Sequence, residues 1–226
     1  MHRLLICVLV LNVSVIHLFP TAVLSRSIEK IFITAGLVDM ATINRTVKVN
    51  LVNSDPQKNF FREDFYKGLN KAYLRKPVAL KLSRAQQILK AAHPSYSLQI
   101  LDAARPRSVS RAMYEKVQGT KFERYVAHPD KGSMHNFGVA VDITIVDPAD
   151  NEIDMGLSPF NKTKLEIYWQ YVMTKLGRQP SKKQKENRKL LSDVMQEAGF
   201  YPLSFEWWHF NGLEKEETRN KYDIIE

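Results

Sequence analysis

Two histidines and two acidic residues come closer to forming a reactive centre than anything else in this sequence. Ser133-Met134-His135 runs on to Asp142, and Glu206-Trp207-Trp208-His209 follows near the end of the chain. A catalytic zinc takes about three protein ligands and keeps one position open for water. His135, Asp142 and His209 supply that number, one Zn²⁺ per chain, and Glu206 is left over as a base for the water. The chain has six histidines, at 2, 17, 93, 128, 135 and 209, so two of them in acidic company carry most of the signal. Taken singly the spacings are weak. His-x6-Asp and Glu-x-x-His both arise by chance, and either histidine alone is as readily a surface residue or a satisfied core residue.

The hydrophobic pattern shows which elements must position these groups. Phe137 to Val146 is the clearest strand: Val139, Val141, Ile143 and Ile145 point one way, while Ala140, Asp142 and Thr144 point the other. An acid in mid-strand among small neighbours faces solvent or a site. Gly138 permits a turn that returns the His135 imidazole over this polar face. Phe200 to Phe210 reads as a last strand carrying Glu206 and His209. Positions three apart in a regular strand face opposite sides, so these two share a site only if the strand bulges or bends.

Elsewhere, Ile28 to Thr34 and Val47 to Val52 read as short β-rich runs. Ser83 is a good N-cap for a helix through Ala85, Ile88, Leu89 and Ala92, which His93-Pro94 stops. Tyr96 to Leu101 reads as a strand ending in Asp102-Ala103-Ala104-Arg105-Pro106, where Pro106 holds Arg105 extended. A helix from about Ser108 to Gln118 stops at Gly119. Residues 164–176 show a helical stripe of Leu165, Tyr168, Trp169, Val172 and Leu176, whose aromatics suit a core. Arg178 to Lys189 is densely basic, a solvated loop leading into a helix with Leu190, Leu191, Val194, Met195 and Ala198 on its apolar face and Gly199 at its end. This order predicts an α+β fold, a mainly antiparallel sheet with flanking helices.

The ends and the composition narrow the function classes. His2 and Arg3 precede an apolar run from Leu4 to Phe19, then Pro20, small residues and Ser25. That is the pattern of a signal peptide over residues 1–25, with an uncleaved anchor as the alternative. The expectation is an exported protein, periplasmic or secreted, with one domain over 26–226 and no stable membrane association after cleavage. The one cysteine, Cys7, lies in the apolar run, so a mature chain would carry no thiol for catalysis and no disulfide. A net charge of +9 attracts anionic polymers without specificity. No aromatic-rich basic repeat and no Cys/His finger spacing points to nucleic acid.

The joint pattern Ser133-Met134-His135-x6-Asp142 … Glu206-Trp207-Trp208-His209 resembles the D-alanyl-D-alanine dipeptidases of the vancomycin-resistance type. These belong to the zinc D,D-peptidases, which share a fold with the Hedgehog signalling domain. The resemblance runs from about Lys48 to Gly212 and includes Tyr73-Leu74-Arg75-Lys76-Pro77-Val78, the Asp102 to Pro106 block, Met155-Gly156 and Glu197-Ala198-Gly199-Phe200. It implies that His135, Asp142 and His209 bind Zn²⁺ and that Glu206 takes a proton from the water and returns it to the leaving amine. It further implies that Arg105 stabilises the oxyanion, where the bland alternative is a structural salt bridge beside Pro106. Ser133 would donate to the substrate near its terminus, although a serine there can also simply cap a turn. Trp207 and Trp208 would wall the pocket and pack the core.

Two departures from the family pattern concern specificity. Relatives often carry a tyrosine in the N-terminal substrate segment; Leu51-Val52-Asn53-Ser54 has none, so Asn53 takes that place. Relatives follow Met-Gly with two residues and then Phe-Asp, whose aspartate holds the dipeptide's ammonium. Here Met155-Gly156-Leu157-Ser158-Pro159-Phe160-Asn161 is one residue longer and ends in a neutral side chain. The expected substrate is D-Ala-D-Ala or a close muropeptide. Alternatives are a D,D-carboxypeptidase or endopeptidase acting on blocked or longer peptides, and a catalytically silent binding protein on the same fold.

Overall fold

The structure, a computed structural model, describes residues 21–123, 126–156, 177 and 179–226. Its centre is β5 (Ala140–Val146), all seven residues of which are buried. Val141, Ile143 and Ile145 go into the core on one face, each fully buried, a gain of roughly 1.5–3 kcal/mol per side chain. Helices cover the strand on the apolar side, and the polar side meets the functional groups. β4 (Ser97–Asp102) and β7 (Glu206–Asn211) pair with β5 antiparallel on either side. β2 (Lys48–Val49) adds to β4 in parallel, and β6 (Tyr201–Leu203) adds to β7 antiparallel, giving the order β2-β4-β5-β7-β6. A separate two-stranded sheet pairs β1 (Leu37–Asp39) with β3 (Tyr73–Arg75). The fold is thus α+β with a mainly antiparallel sheet.

Four local expectations are corrected. Ile28 to Thr34 belongs to helix α1 (Thr21–Thr34), because Ile28, Ile31, Phe32 and Ala35 recur at helical spacing and pack on the core. Helix α3 (Lys76–Ala92) begins seven residues before Ser83, with Pro77 in its first turn, where a missing N–H costs nothing. Val78, Ala79 and Leu82 extend its buried face, and Ser83 instead accepts a bond from Asn44. Phe200 to Phe210 is a hairpin of two strands, since Leu203-Ser204-Phe205-Glu206 turns the chain back on itself. The short α2 (Met40–Ile43) and a 3₁₀ turn at Val52–Ser54 leave only Lys48–Val49 as strand in the Val47 to Val52 run.

Two further helices fall where the pattern puts them, and a third, near the end, was not expected. α4 (Arg107–Glu115) follows Pro106. α5 (Lys182–Glu197) is opened by Ser181 and Gln184 in a capping box and buries Leu191, Val194 and Met195. α6 (Lys215–Lys221) leads into a tail whose Ile225 is buried. Among the described residues no helix is long and apolar enough to cross a membrane. The expected helix at 164–176 and Asn161 lie outside the described residues.

Gly138 makes the turn into β5. Its φ is +71°, and a Cβ there would lie 2.8 Å from Leu37 Cδ2. Left-handed backbone costs an L-residue about 1–2 kcal/mol, and overpacking adds about 1–3 kcal/mol. Gly138→Ala is therefore expected to lower stability by about 2–4 kcal/mol in urea denaturation; a change under 0.5 kcal/mol would show that the turn relaxes freely.

Candidate active site

Strand register alone brings three polar residues into a row. Asp142 on β5 is opposite His209 on β7 and, across a register shift, opposite Asp102 on β4. Directly opposed residues share a sheet face, so all three look the same way. His135 reaches the same point from a 3₁₀ turn at Met134–Phe137, which the Gly138 bend folds back over the strand.

The inner atoms of His135, Asp142 and His209 form a tight triangle. His135 Nε2 is 3.2 Å from His209 Nδ1 and 3.4 Å from Asp142 Oδ1, and His209 Nδ1 is 3.0 Å from Asp142 Oδ1. Tetrahedral ligands held at 2.0–2.1 Å from one ion stand about 3.3 Å apart. The outer nitrogens fix the tautomers. His135 Nδ1 donates to the Ala103 carbonyl at 2.7 Å, and His209 Nε2 donates to Asn211 Oδ1 at 3.0 Å. Both inner nitrogens then present lone pairs, beside a carboxylate. Three acceptors crowded together, with their outer nitrogens already donating, make a donor set that fits a divalent metal.

Charge is arranged to suit. Asp142 is buried, but the two imidazoles outweigh the cost of burial and hold its carboxyl well below the usual range. Burial opposes charge on His209, yet the Asp142 carboxylate prevails and raises its proton affinity. Glu206 moves the other way: burial, then the negative charge on Asp142, push its carboxyl above its ordinary value against the pull of His209, His135 and Arg105.

Glu206 and His209 share this neighbourhood because the strand is irregular. On β6, Pro202 pairs with Phe210 and the very next residue, Leu203, pairs with Glu206, so the register jumps across Trp207, Trp208 and His209. The bulge frees β7 from strict alternation. Trp207 and Trp208 are half-buried and meet edge to face at 5.5 Å, and Arg188 lies over the Trp207 ring.

Arg105 is largely buried and bound to Asp102, with Nε at 3.1 Å and Nη2 also on Oδ2. The salt bridge weighed as the bland alternative therefore exists. It uses only one edge of the guanidinium, and Nη1 has no hydrogen-bond partner among the described residues. Asp102 is fully buried and also accepts from Tyr66 Oη at 2.6 Å, Asn53 Nδ2 at 3.0 Å and the Ala103 amide. Asp102 raises the proton affinity of Arg105 despite burial, so the cation is permanent. Asn53 lies inside this cluster with its amide directed at Asp102. Ser133 heads the turn, with its hydroxyl 3.3 Å from Asn136 Oδ1. His93 stacks on Tyr96 and His128 packs against Tyr114, both apart from the triangle.

Sequence reasoning assigned no part to Asp102, Tyr66, Asn136 or Asn211. Asp102 offered a signal, an acid at a strand end three residues before Arg105. Asn211 offered a weaker one, a polar side chain two positions from His209 and so on its face of the strand. Tyr66 gave none, because its contact spans 36 residues of chain.

A buried His/Asp/His triangle with a carboxylic acid and a fixed guanidinium beside it defines a metallopeptidase, and the comparisons agree. Residues 33–225 match peptidase family M15, described as D-ala-D-ala dipeptidase, and the chain belongs to that family. A D-alanyl-D-alanine dipeptidase of Synechocystis sp. (strain ATCC 27184 / PCC 6803 / Kazusa) is 27% identical over 176 residues, covering 65% of this chain and 71% of the relative. One of Escherichia coli (strain K12) is 28% identical over 177 residues, covering 78% and 84%. The solved structure of the LdcB LD-carboxypeptidase aligns with a TM-score of 0.37 at 19% identity, over 66% of this chain and 63% of that one.

Proposed function

We propose that this chain is an exported zinc D,D-dipeptidase hydrolysing D-Ala-D-Ala or a close cell-wall peptide. The observation that supports it most is the triangle of three acceptors with Glu206 and Arg105 alongside. His135, Asp142 and His209 would hold Zn²⁺, which supplies Lewis acidity at the scissile carbonyl and lowers the pKa of a water. Glu206, with its raised proton affinity, suits a group that takes a proton from water and then gives it to the leaving amine. Arg105, held by Asp102 along one edge, offers its free edge to the oxyanion. Ser133, partly exposed at the head of its turn, is placed to meet the substrate terminus.

The test is the purified protein offered D-Ala-D-Ala, its N-acetylated form and a muropeptide ending in D-Ala-D-Ala. Turnover should vanish on treatment with a chelator and return with one equivalent of Zn²⁺. Hydrolysis that survives complete metal removal would sink the reading. Export has its own check, N-terminal sequencing of protein recovered from cells.

Specificity is expected to differ from that of relatives with an aspartate at the position of Asn161. A neutral acceptor pairs less strongly than a carboxylate with an ammonium. Losing that charge-assisted bond costs about 1–3 kcal/mol, roughly a ten- to hundredfold poorer KM for the free dipeptide. Of the acids that could substitute, Asp147 and Asp150 lie beyond the far end of β5, about 16 Å or more along the strand from Asp142. Asp154 is bonded to Gln184 and the Gly156 amide. Asn161→Asp should improve KM for D-Ala-D-Ala and leave the N-acetylated dipeptide unchanged. An unaltered free-to-blocked ratio would place the amine elsewhere.

A further inference from the structure

Asn136 follows the first metal-site histidine directly and is 0% exposed. The proposed chemistry gives it no part, yet its side-chain amide is fully engaged. Nδ2 donates to the Arg105 carbonyl at 2.8 Å and to Ser110 Oγ at 2.9 Å. Oδ1 accepts from the Ser133 amide at 2.8 Å and lies 3.3 Å from Ser133 Oγ. Its backbone carbonyl takes the amide of Ile225 at 2.8 Å. Two further bonds join the same segments: Arg105 N–H to the His135 carbonyl at 3.0 Å, and His135 Nδ1 to the Ala103 carbonyl.

The segment carrying the oxyanion cation and the turn carrying a metal ligand are therefore stitched together, and one buried amide side chain makes the link between their loops. From this we propose that Asn136 is a positioning residue that sets Arg105 and His135 relative to one another, an inference that rests on the functional reading above. The chemistry needs an amide at this place. Only a side chain with a donor on one end and an acceptor on the other satisfies a carbonyl on the Arg105 segment and an N–H on the Ser133 turn together. An alanine would leave both unpaired. An aspartate of the same shape keeps the Ser133 bond but turns an oxygen against the Arg105 carbonyl.

A catalytic group misplaced by about 1 Å costs on the order of a hundredfold, and loss of a partner that orients a metal ligand weakens metal binding by about ten- to a hundredfold. Asn136→Ala and Asn136→Asp should each lower kcat by about 10- to 100-fold with KM within about threefold. The discriminating measurement repeats both substitutions in an Arg105→Ala background. With Zn²⁺ saturating the assay, so that weaker metal binding does not enter kcat, the part acting through Arg105 is lost and they should cost less than about threefold more there. A loss of the same factor in both backgrounds would overturn the proposal, since a merely structural defect is indifferent to Arg105.

Zn²⁺ retention against a competing chelator gives a readout independent of turnover. Retention should fall about ten- to a hundredfold in both variants, and unchanged retention overturns the link to His135. Should the alanine variant not fold, the isosteric aspartate variant carries both arms. Should the unsubstituted full chain hydrolyse no D-Ala-D-Ala peptide, the dipeptidase reading falls by itself, and Zn²⁺ retention still decides the role of Asn136.

Discussion

Glu206→Ala is expected to reduce turnover by about 10⁴-fold, the upper range for loss of a general base, while the protein keeps its metal. The separation of these two effects is the point of the experiment. Glu206 stands outside the triangle of ligand atoms, and its carboxyl is pushed toward protonation by burial and by Asp142. A carboxyl whose proton affinity is raised suits taking a proton and returning it. Turnover by steady-state assay and metal content by elemental analysis, on the same preparation, decide the matter. Loss of metal together with activity would make Glu206 a ligand and dismantle the assignment of roles. Glu206→Gln keeps the shape and should be nearly as inactive, because an amide cannot take up the proton.

The second large effect is expected at Asp102. This carboxylate is fully buried and takes bonds from Arg105, Tyr66, Asn53 and the Ala103 amide. Removing one member of a buried charge pair leaves the other uncompensated, at about 3–5 kcal/mol. Asp102→Ala should therefore cost about that much in urea denaturation. Asp102→Asn keeps the shape and should lose less stability, yet it frees Arg105 to move. Its kcat should fall by about 10²–10³-fold, the range for losing an oxyanion donor. Tyr66→Phe removes a single bond to a charged acceptor and should cost about 1.5–3 kcal/mol. An Asp102→Asn protein with undiminished kcat would show that the pair supports the fold alone.

These expectations draw on different amounts of sequence information. The α+β class and β4, α4, β5 and α5 were legible because their apolar residues recur at the proper period. The convergence of His135 and Asp142 was legible through Gly138. Ile28 to Thr34 misled because a short β-branched run has no period of its own, and its helical stripe emerges only when Ala35 is included. Ser83 misled because a good cap residue can sit inside a helix when an earlier Pro77 starts it. The bulge at Trp207-Trp208-His209 could be stated as a condition but not read, since it depends on how β6 pairs with β7. Asp102's distant partners were invisible for the same reason: Asn53 and Tyr66, 49 and 36 residues away along the chain, are its neighbours only after folding.

Ile225 has a role out of proportion to its place in the sequence. Its amide bonds the Asn136 carbonyl, its carbonyl takes the Arg107 amide at 2.7 Å, and its side chain is buried against the turn at Gly138. Arg75, which also bonds the Phe137 carbonyl at 3.0 Å, lies over the ring of the neighbouring Tyr222. Synthesis proceeds from the N-terminus at about 5–20 residues per second, so His135 emerges several seconds before the segment that braces it. The turn that carries His135 thus gains these partners only from a segment made about ninety residues later.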